Sequence, residues 1–447
     1  MKKTTFAFLA VLAVLMSFMT SCSKEVTADL ETGQQNCYND YEISIDDALK
    51  TLSEFLETEG LTTKSSSLSH KDFIVEKWPL TTDTKAVASL SCSVYCVEFC
   101  DGKGSAIIAA DSRLSDKILS VTDATFTAAD LDAAEKRLKQ LPLSDIDEID
   151  PETLEEISFV DWGNTFAIDL VCRKILSDNE MIKYNVDSQN NGGLQNNGGI
   201  QNNGGIQNYG GSQNTSQNMQ YGPFITTKWG QKYPFNLNMN GTAVGCGPVA
   251  VAQVLYYFRK KVEPREKWKW NWNLLGQVYS CSNPTNSGSP SAQAAVADFM
   301  SEVKSRCNMK PSETSAVVGD IKQCLRRFGF TGVRHKFAHF GGNTHDVNHI
   351  NDIVDNMIKD GKPAIMLSGG FDRDAGLLKC IIGHVFVLDG YKKDNTGEYL
   401  HINWGWKGEN DGYYAKGCFD VTKRNGYDSS FDTGKADGNM NFNFMIT

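Results

Sequence analysis

The chain has 447 residues, 40% hydrophobic and 22% charged, a globular composition with room for two or three domains at roughly 100–200 residues each. Its net charge of −10 hides an asymmetry: residues 1–220 hold 17 Lys+Arg against 33 Asp+Glu, a net of −16, while residues 221–447 hold 27 against 21, a net of +6. The cationic surplus is small, dispersed and without a nucleic-acid motif, so nucleic acid is excluded as a partner, and the absence of any CxxC pair argues against a zinc knuckle or thioredoxin-type centre.

Lys2 and Lys3 precede the apolar run FAFLAVLAVLMSFM (residues 6–19), which is short for a membrane span and has the layout of a secretory signal. It ends in Met19-Thr20-Ser21-Cys22, which resembles a lipobox, so residues 1–21 are read as a lipoprotein-type signal and Cys22 as the acylated residue that tethers the exported protein to a membrane. Ordinary cleavage nearby and soluble secretion is the other reading. In IDDALKTLSEFLETE (45–59), Ala48, Leu49, Leu52, Phe55 and Leu56 have the spacing of one helical face. SVYCVEFC and SAIIAAD, joined by Asp101-Gly102-Lys103-Gly104, read as a hairpin. Cys92, Cys96 and Cys100 would share one face of an extended strand, and they read as small core residues. Residues 126–139 and 151–177 carry helical periodicity.

At residues 189–212 the composition changes to four hexads, QNNGGL, QNNGGI, QNNGGI and QNYGGS. One apolar residue per turn cannot bury a β-helical core, so 189–220 is expected to be a flexible, protease-accessible linker. It separates an acidic module, 22–188, from a basic module, 221–447. Opposite charge favours their association.

In the second module, Cys246 lies in GTAVGCGPVAVAQVLYYF. Gly245 and Gly247 permit a sharp turn, Pro248 suits a first helical turn, and the apolar run after it predicts a buried helix. A thiol at a helix N-terminus is stabilised as thiolate by the dipole and the free N–H groups. An inert buried cysteine is the alternative at this point. A thiolate nucleophile needs a base that also protonates the leaving amine, usually histidine. His384 sits in IIGHVFVLDGY, a central-strand pattern where an unused imidazole is expensive, although a hydrogen-bonded core histidine is also possible. EYLHINWGWKG follows as the hairpin mate, placing Asn403 to orient His384, with Trp404 or Trp406 shielding that bond. Gln231, fifteen residues before Cys246, carries an amide able to join the Cys246 backbone N–H in an oxyanion hole.

TKWGQKYPFN, GCGPVAVAQVLYYF, GHVFVLDGY and HINWGWKGENDGYY together resemble, in order, the catalytic segments of the streptopain family of papain-fold cysteine peptidases (family C10). The likeness covers roughly 221–447, and VYCVEFCDGKGSAIIAADSRLSDKILSVTD (94–123) resembles that family's propeptide. The resemblance implies a papain-like α+β domain, a helical part plus an antiparallel sheet part, preceded by an α+β prodomain. It implies Cys246 as nucleophile, His384 as base and Gln231 as oxyanion donor. Asn403 and Trp404 match the Asn-Trp-Gly-Trp stretch, and Gly383, Trp406 and Ser312 fall at the substrate cleft. It implies protein or peptide substrates, with a hydrophobic residue favoured two places before the scissile bond, the prodomain as intramolecular inhibitor, and neither cofactor nor metal. Two departures stand out. Gly247-Pro248 replaces a Val-Ala-like pair, and the loop MKPSETSAVVG (309–319) carries Glu313 where the family is rich in glycine and serine.

HKFAHFGGNTHDVNH (335–349) contains His335, His339, His345 and His349, and HDVNH approaches the zinc motif HExxH with Asp346 in place of Glu. Trp268, Trp270 and Trp272 in WKWNW would lie along one side of an extended segment, suited to sugar stacking or, more commonly, to packing a domain edge. A non-catalytic surface-binding protein with a permanently seated N-terminal module, and a zinc hydrolase built on the 335–349 histidines, are the alternatives to a cysteine endopeptidase made as an inactive precursor.

Overall fold

The computed structural model describes residues 41–58, 72–79, 92–100, 102, 104–140, 162–191, 218–260, 269–313, 318–330, 333–338, 349–372, 379–419 and 438–446. The signal, Cys22, the hexads from residue 192, Trp268, and residues 339–348 with His339 and His345 lie outside them.

Helix α1 (Ile45–Thr58) buries the predicted face, Ala48, Leu49, Leu52, Phe55 and Leu56. That face lies against Tyr95, Val97, Ala106 and Ile108 of an antiparallel meander formed by β1 (Phe73–Pro79), β2 (Ser93–Phe99), β3 (Ser105–Ala109) and β4 (Ile118–Thr122). β2 and β3 are the predicted hairpin; Cys92 and Cys96 are core residues, whereas Cys100 is exposed at the turn beyond the strand. The opposite sheet face is covered by α2 (Ala128–Gln140) and α3 (Trp162–Asn191), with Leu131, Ala134, Ala167, Val171 and Ile175 meeting Val94, Cys96 and Ile107. α3 runs past the expected end near residue 177 and takes in the first three linker residues, Gln189–Asn191.

β5 (Met219–Tyr221), which spans the expected boundary between linker and second module, pairs with β8 (Lys379–Lys393). The helical part of the second module is α4 (Cys246–Tyr257), α5 (Pro290–Arg306) and α6 (Val318–Arg327). Val249, Val251, Val254, Phe299, Met300, Val303, Ile321 and Leu325 share one core there. Burying each such aliphatic side chain contributes roughly 1.5–3 kcal/mol, enough to explain why α4 is buried without a break from Gly247 to Leu255. Trp270 and Trp272 pack edge-on against Phe299 at 5.0 and 5.5 Å, so they close the edge of this core. His335 lies on β6 (Val333–Ala338), and His349 opens α7 (His349–Asp360).

The sheet part comprises β6, β7 (Ala364–Asp372), β8, β9 (Glu398–Asn403), β10 (Gly412–Ala415) and β11 (Gly438–Ile446). β10 also pairs antiparallel with β4 of the first module, Gly412 opposite Thr122, Tyr413 opposite Val121 and Tyr414 opposite Ser120. The strand order is therefore β1-β2-β3-β4-β10-β9-β8-β7-β11-β6, one sheet through both modules. This is the expected α+β architecture, with a helical part against an antiparallel sheet and an α+β module preceding it. β8 alternates: Val385 and Val387 enter the core under α4, while Phe386 and Leu388 enter the core under α3.

Candidate active site

Gly245 has φ +96°, a backbone state that L side chains rarely adopt, and this turn delivers Cys246 as the first residue of α4. No side chain caps the helix, so its leading N–H groups stay available. Cys246 is partly exposed, and its sulfur is beside the backbone N–H groups of Val385, Gly247 and Cys246 itself. Burial nevertheless pushes the thiol above its ordinary value, against the lowering effect of those amides. Gln231 is held close in the chain path: its carbonyl accepts the Val244 N–H at 2.9 Å, two residues before Cys246.

His384 projects from β8 opposite Ser368 and is 6% exposed. Its Nε2 lies 2.8 Å from the Trp404 carbonyl. A carbonyl only accepts, so Nε2 carries the hydrogen and donates it, leaving the lone pair on Nδ1. Trp406 stacks on the imidazole at 4.4 Å and 27°, and Phe166 of α3 approaches from the first module at 5.8 Å. Burial lowers the imidazole to about 4, with the Trp404 bond acting in the opposite sense. Both groups are therefore neutral near pH 7, and among the described residues no hydrogen bond joins Sγ to the imidazole. The geometry presents thiol and base on adjoining elements, α4 and β8, but not engaged.

The Trp404 carbonyl is itself fixed. The Trp404 N–H donates to Asp411 Oδ1 at 2.9 Å, and its indole Nε1 donates to the Asn410 carbonyl at 3.0 Å. Asp411 is held up to about 7 by burial, against the opposing pull of Lys228.

Asn403 is placed differently from expectation. The β8/β9 register sets it opposite Val387, and a shift between Leu388 and Gly390 fixes that register. Its Nδ2 donates to the Thr227 carbonyl at 2.9 Å, and its Oδ1 accepts from Gln253 Nε2 at 2.8 Å and the Gly405 N–H at 3.1 Å. With every polar atom engaged elsewhere, Asn403 does not orient His384 in this structure. The imidazole has a backbone carbonyl one residue later instead. Gly383 immediately precedes His384, opposite Gly369. Ser312 is exposed in the turn after α5, next to Pro311, whose carbonyl accepts from buried Lys304 at 3.0 Å. Among the described residues no group of three or more His, Cys, Asp or Glu is placed to hold a metal.

Three residues of the site's surroundings carry no motif that marks them: Thr227, Gln253 and Phe166. Gln253 left a signal, being the lone amide in the apolar run VAVAQVLYYF.

A cysteine at the N-terminus of a buried helix, beside a strand-borne imidazole whose Nε2–H is anchored and whose Nδ1 keeps its lone pair, is an arrangement with the groups that thiol-dependent hydrolysis requires. Residues 229–414 match the model of the Peptidase C10 family, a family of cysteine peptidases. Two solved structures from Prevotella intermedia are among those similar to the chain. A prointerpain A fragment is 20% identical, covering 83% of this chain and 98% of its own, with a TM-score of 0.43. Active wild-type interpain A cysteine protease is 23% identical, covering 51% of this chain and 95% of its own, with a TM-score of 0.37. No curated protein matches the chain.

Proposed function

We propose that the protein is an exported, lipid-tethered cysteine endopeptidase made as a latent precursor, in which Cys246 attacks a peptide carbonyl and residues 22–188 hold the site inactive until the 189–220 segment is cut. The observation that carries the chemistry is the meeting of α4, which begins at Cys246, with β8, which bears His384. His384 Nδ1 takes the thiol proton, an S–C bond forms, and the oxyanion is held by the Cys246 N–H and the Gln231 amide. The imidazolium then protonates the departing amine as the C–N bond breaks, and water, deprotonated by His384, hydrolyses the thioester.

Latency is supported by three contacts of the first module with the second. Phe166 lies against both His384 and Trp404, at 5.8 and 5.7 Å. Lys228 pairs with Asp123. Lys392, 2% exposed, donates to the Phe55 carbonyl at 2.9 Å with its ammonium 3.4 Å from the Phe55 ring centroid. A neutral thiol and a neutral imidazole, unbonded to each other, suit a resting form. Removing α3 frees the face of the imidazole that Phe166 covers and lets it turn towards Sγ.

The test is incubation of the purified chain with an epoxide thiol inhibitor and mass mapping of the adduct, beside Cys246→Ala. The native chain takes up one inhibitor at Cys246 and releases a C-terminal fragment, and Cys246→Ala does neither. An activated native chain that stays unlabelled at Cys246 removes the peptidase reading.

A further inference from the structure

Gln253 lies seven residues after Cys246 on α4, two helical turns on, and therefore on nearly the same face. It is 1% exposed and polar within an otherwise apolar helix. Each polar atom of its carboxamide has a partner on a different part of the machinery. Oε1 accepts from Thr227 Oγ1 at 3.0 Å and from the Trp229 N–H at 3.2 Å, on the segment that leads to Gln231. Nε2 donates to Asn403 Oδ1 at 2.8 Å, and Asn403 Oδ1 also takes the Gly405 N–H, so the two residues flanking Trp404 are tied to it. The amide orientations follow from partners with a single role: the Trp229 and Gly405 N–H groups only donate, and the Thr227 carbonyl, which receives Asn403 Nδ2, only accepts.

The spacing of the site passes through this one side chain. Between Cys246 and Gln253 on the helix face is Val249, and a Cβ added at Gly405 would meet its Cγ1 at 3.0 Å. The loop bearing the Trp404 carbonyl is thus pressed against α4 with no side chain between and held there by the Gln253–Asn403 bond. The same carboxamide draws in Trp229, two residues before Gln231, and the Trp229 carbonyl accepts the Lys407 N–H at 3.2 Å, closing a ring back to the Trp404 loop.

We propose that Gln253 is the positioning residue of the thiol site, its buried carboxamide setting the distance of the His384 anchor and of the Gln231 segment from Cys246. Asn403 then serves this clamp, as the link from Gln253 to the backbone of the Trp404 loop. The assignment rests on the peptidase reading of the same site. Displacements of the order of an ångström in such positioning cost roughly 100-fold in rate.

The experiment compares native chain, Gln253→Glu, Gln253→Leu and Thr227→Val after self-processing. Each is titrated with the epoxide so that rates are expressed per competent thiol, and then assayed on a fluorogenic peptide with a hydrophobic residue two places before the scissile bond. Gln253→Glu keeps the acceptor for Thr227 and Trp229 but puts an oxygen against Asn403 Oδ1. Its kcat per titrated site is expected to fall about 10- to 100-fold with KM within about twofold, and the acidic limb of its pH profile to rise, because a buried carboxylate bonded into the loop that anchors His384 favours imidazolium. Gln253→Leu shows the kcat loss without the shifted limb. A purely structural role lowers the number of titratable sites but leaves kcat per site and the pH limbs at native values. That result for both Gln253 variants overturns the proposal. Should neither fold, Thr227→Val, which removes one hydroxyl donor and keeps the side-chain shape, decides it: a kcat lowered about 3- to 10-fold at unchanged KM supports the clamp, and native kcat overturns it. A native chain that takes up no epoxide removes the peptidase reading and this assignment together, whereas an active native chain with unaltered variants removes this assignment alone.

Discussion

Phe166→Ala is the sharpest probe of the proposal that the first module quiets the thiol. Phe166 is 8% exposed, and its ring faces Trp404 at 5.7 Å and His384 at 5.8 Å, so its main aromatic neighbours lie across the seam. Buried Phe→Ala changes cost about 3–5 kcal/mol, and the partial exposure of this ring argues for the lower end. A loss of about 3 kcal/mol in docking corresponds to roughly a 100-fold larger fraction of open molecules, at tenfold per 1.4 kcal/mol. The assay is the initial rate of epoxide labelling of Cys246 in intact precursor, read by mass spectrometry before any linker is cut. Phe166→Ala should label up to about 100-fold faster than native, and Phe166→Leu, which retains most of the apolar volume, about tenfold or less. Native labelling rates in a Phe166→Ala precursor with native circular dichroism would refute the plug.

Further predictions bear on the same site. His384 at about 4, against an ordinary 6.5, stabilises the latent form above pH 6.5, and this stabilisation is lost as pH falls through 4. The difference amounts to about 3 kcal/mol. Hydrogen exchange of α3 in Cys246→Ala precursor should quicken from pH 7 to pH 5, and the part due to the imidazole should vanish in a further His384→Gln change; Asp411, held up near 7, acts with the opposite sign and remains in both. Gly245→Ala forces a side chain onto φ +96°, a cost of about 1–2 kcal/mol, and should lower the urea midpoint and slow Cys246 labelling in processed enzyme; unchanged labelling would show that the turn does not set the nucleophile. Lys392→Met strands the Phe55 carbonyl and Asp394, which Lys392 faces at 3.5 Å. Breaking a buried pair costs about 3–5 kcal/mol, so the precursor should melt several degrees lower with α1 the first helix to lose exchange protection.

Much of this was legible in the residues. The α1 face could be read because its five apolar residues follow the helical period, and the place of Cys246 at a helix start because glycine, cysteine, glycine and proline in that order can open a buried helix. The partner of His384 could not, because a single register shift between Leu388 and Gly390 decides which residue of Asn403-Trp404 faces the imidazole, and a one-residue slip reverses every side chain on a strand. Phe166 was hidden for another reason: its meeting with His384 joins residues 218 positions apart, beyond the reach of any local pattern. Gln253 stood in view, since an amide in a run that otherwise reads as core must have buried partners.

If the latent-precursor proposal holds, the strand pairing of β4 with β10 makes cutting the chain and freeing the enzyme two separate events. A nick in the linker leaves Gly412–Tyr414 bonded to Ser120–Thr122 and leaves the side-chain core on both faces intact. The first product of processing is then a two-chain complex whose fragments part at their own rate. Activity should lag behind cleavage by a delay that dilution does not change, while the activity finally reached rises on dilution or when the detached fragment is degraded, so that the clock for onset of proteolysis is dissociation along one sheet edge.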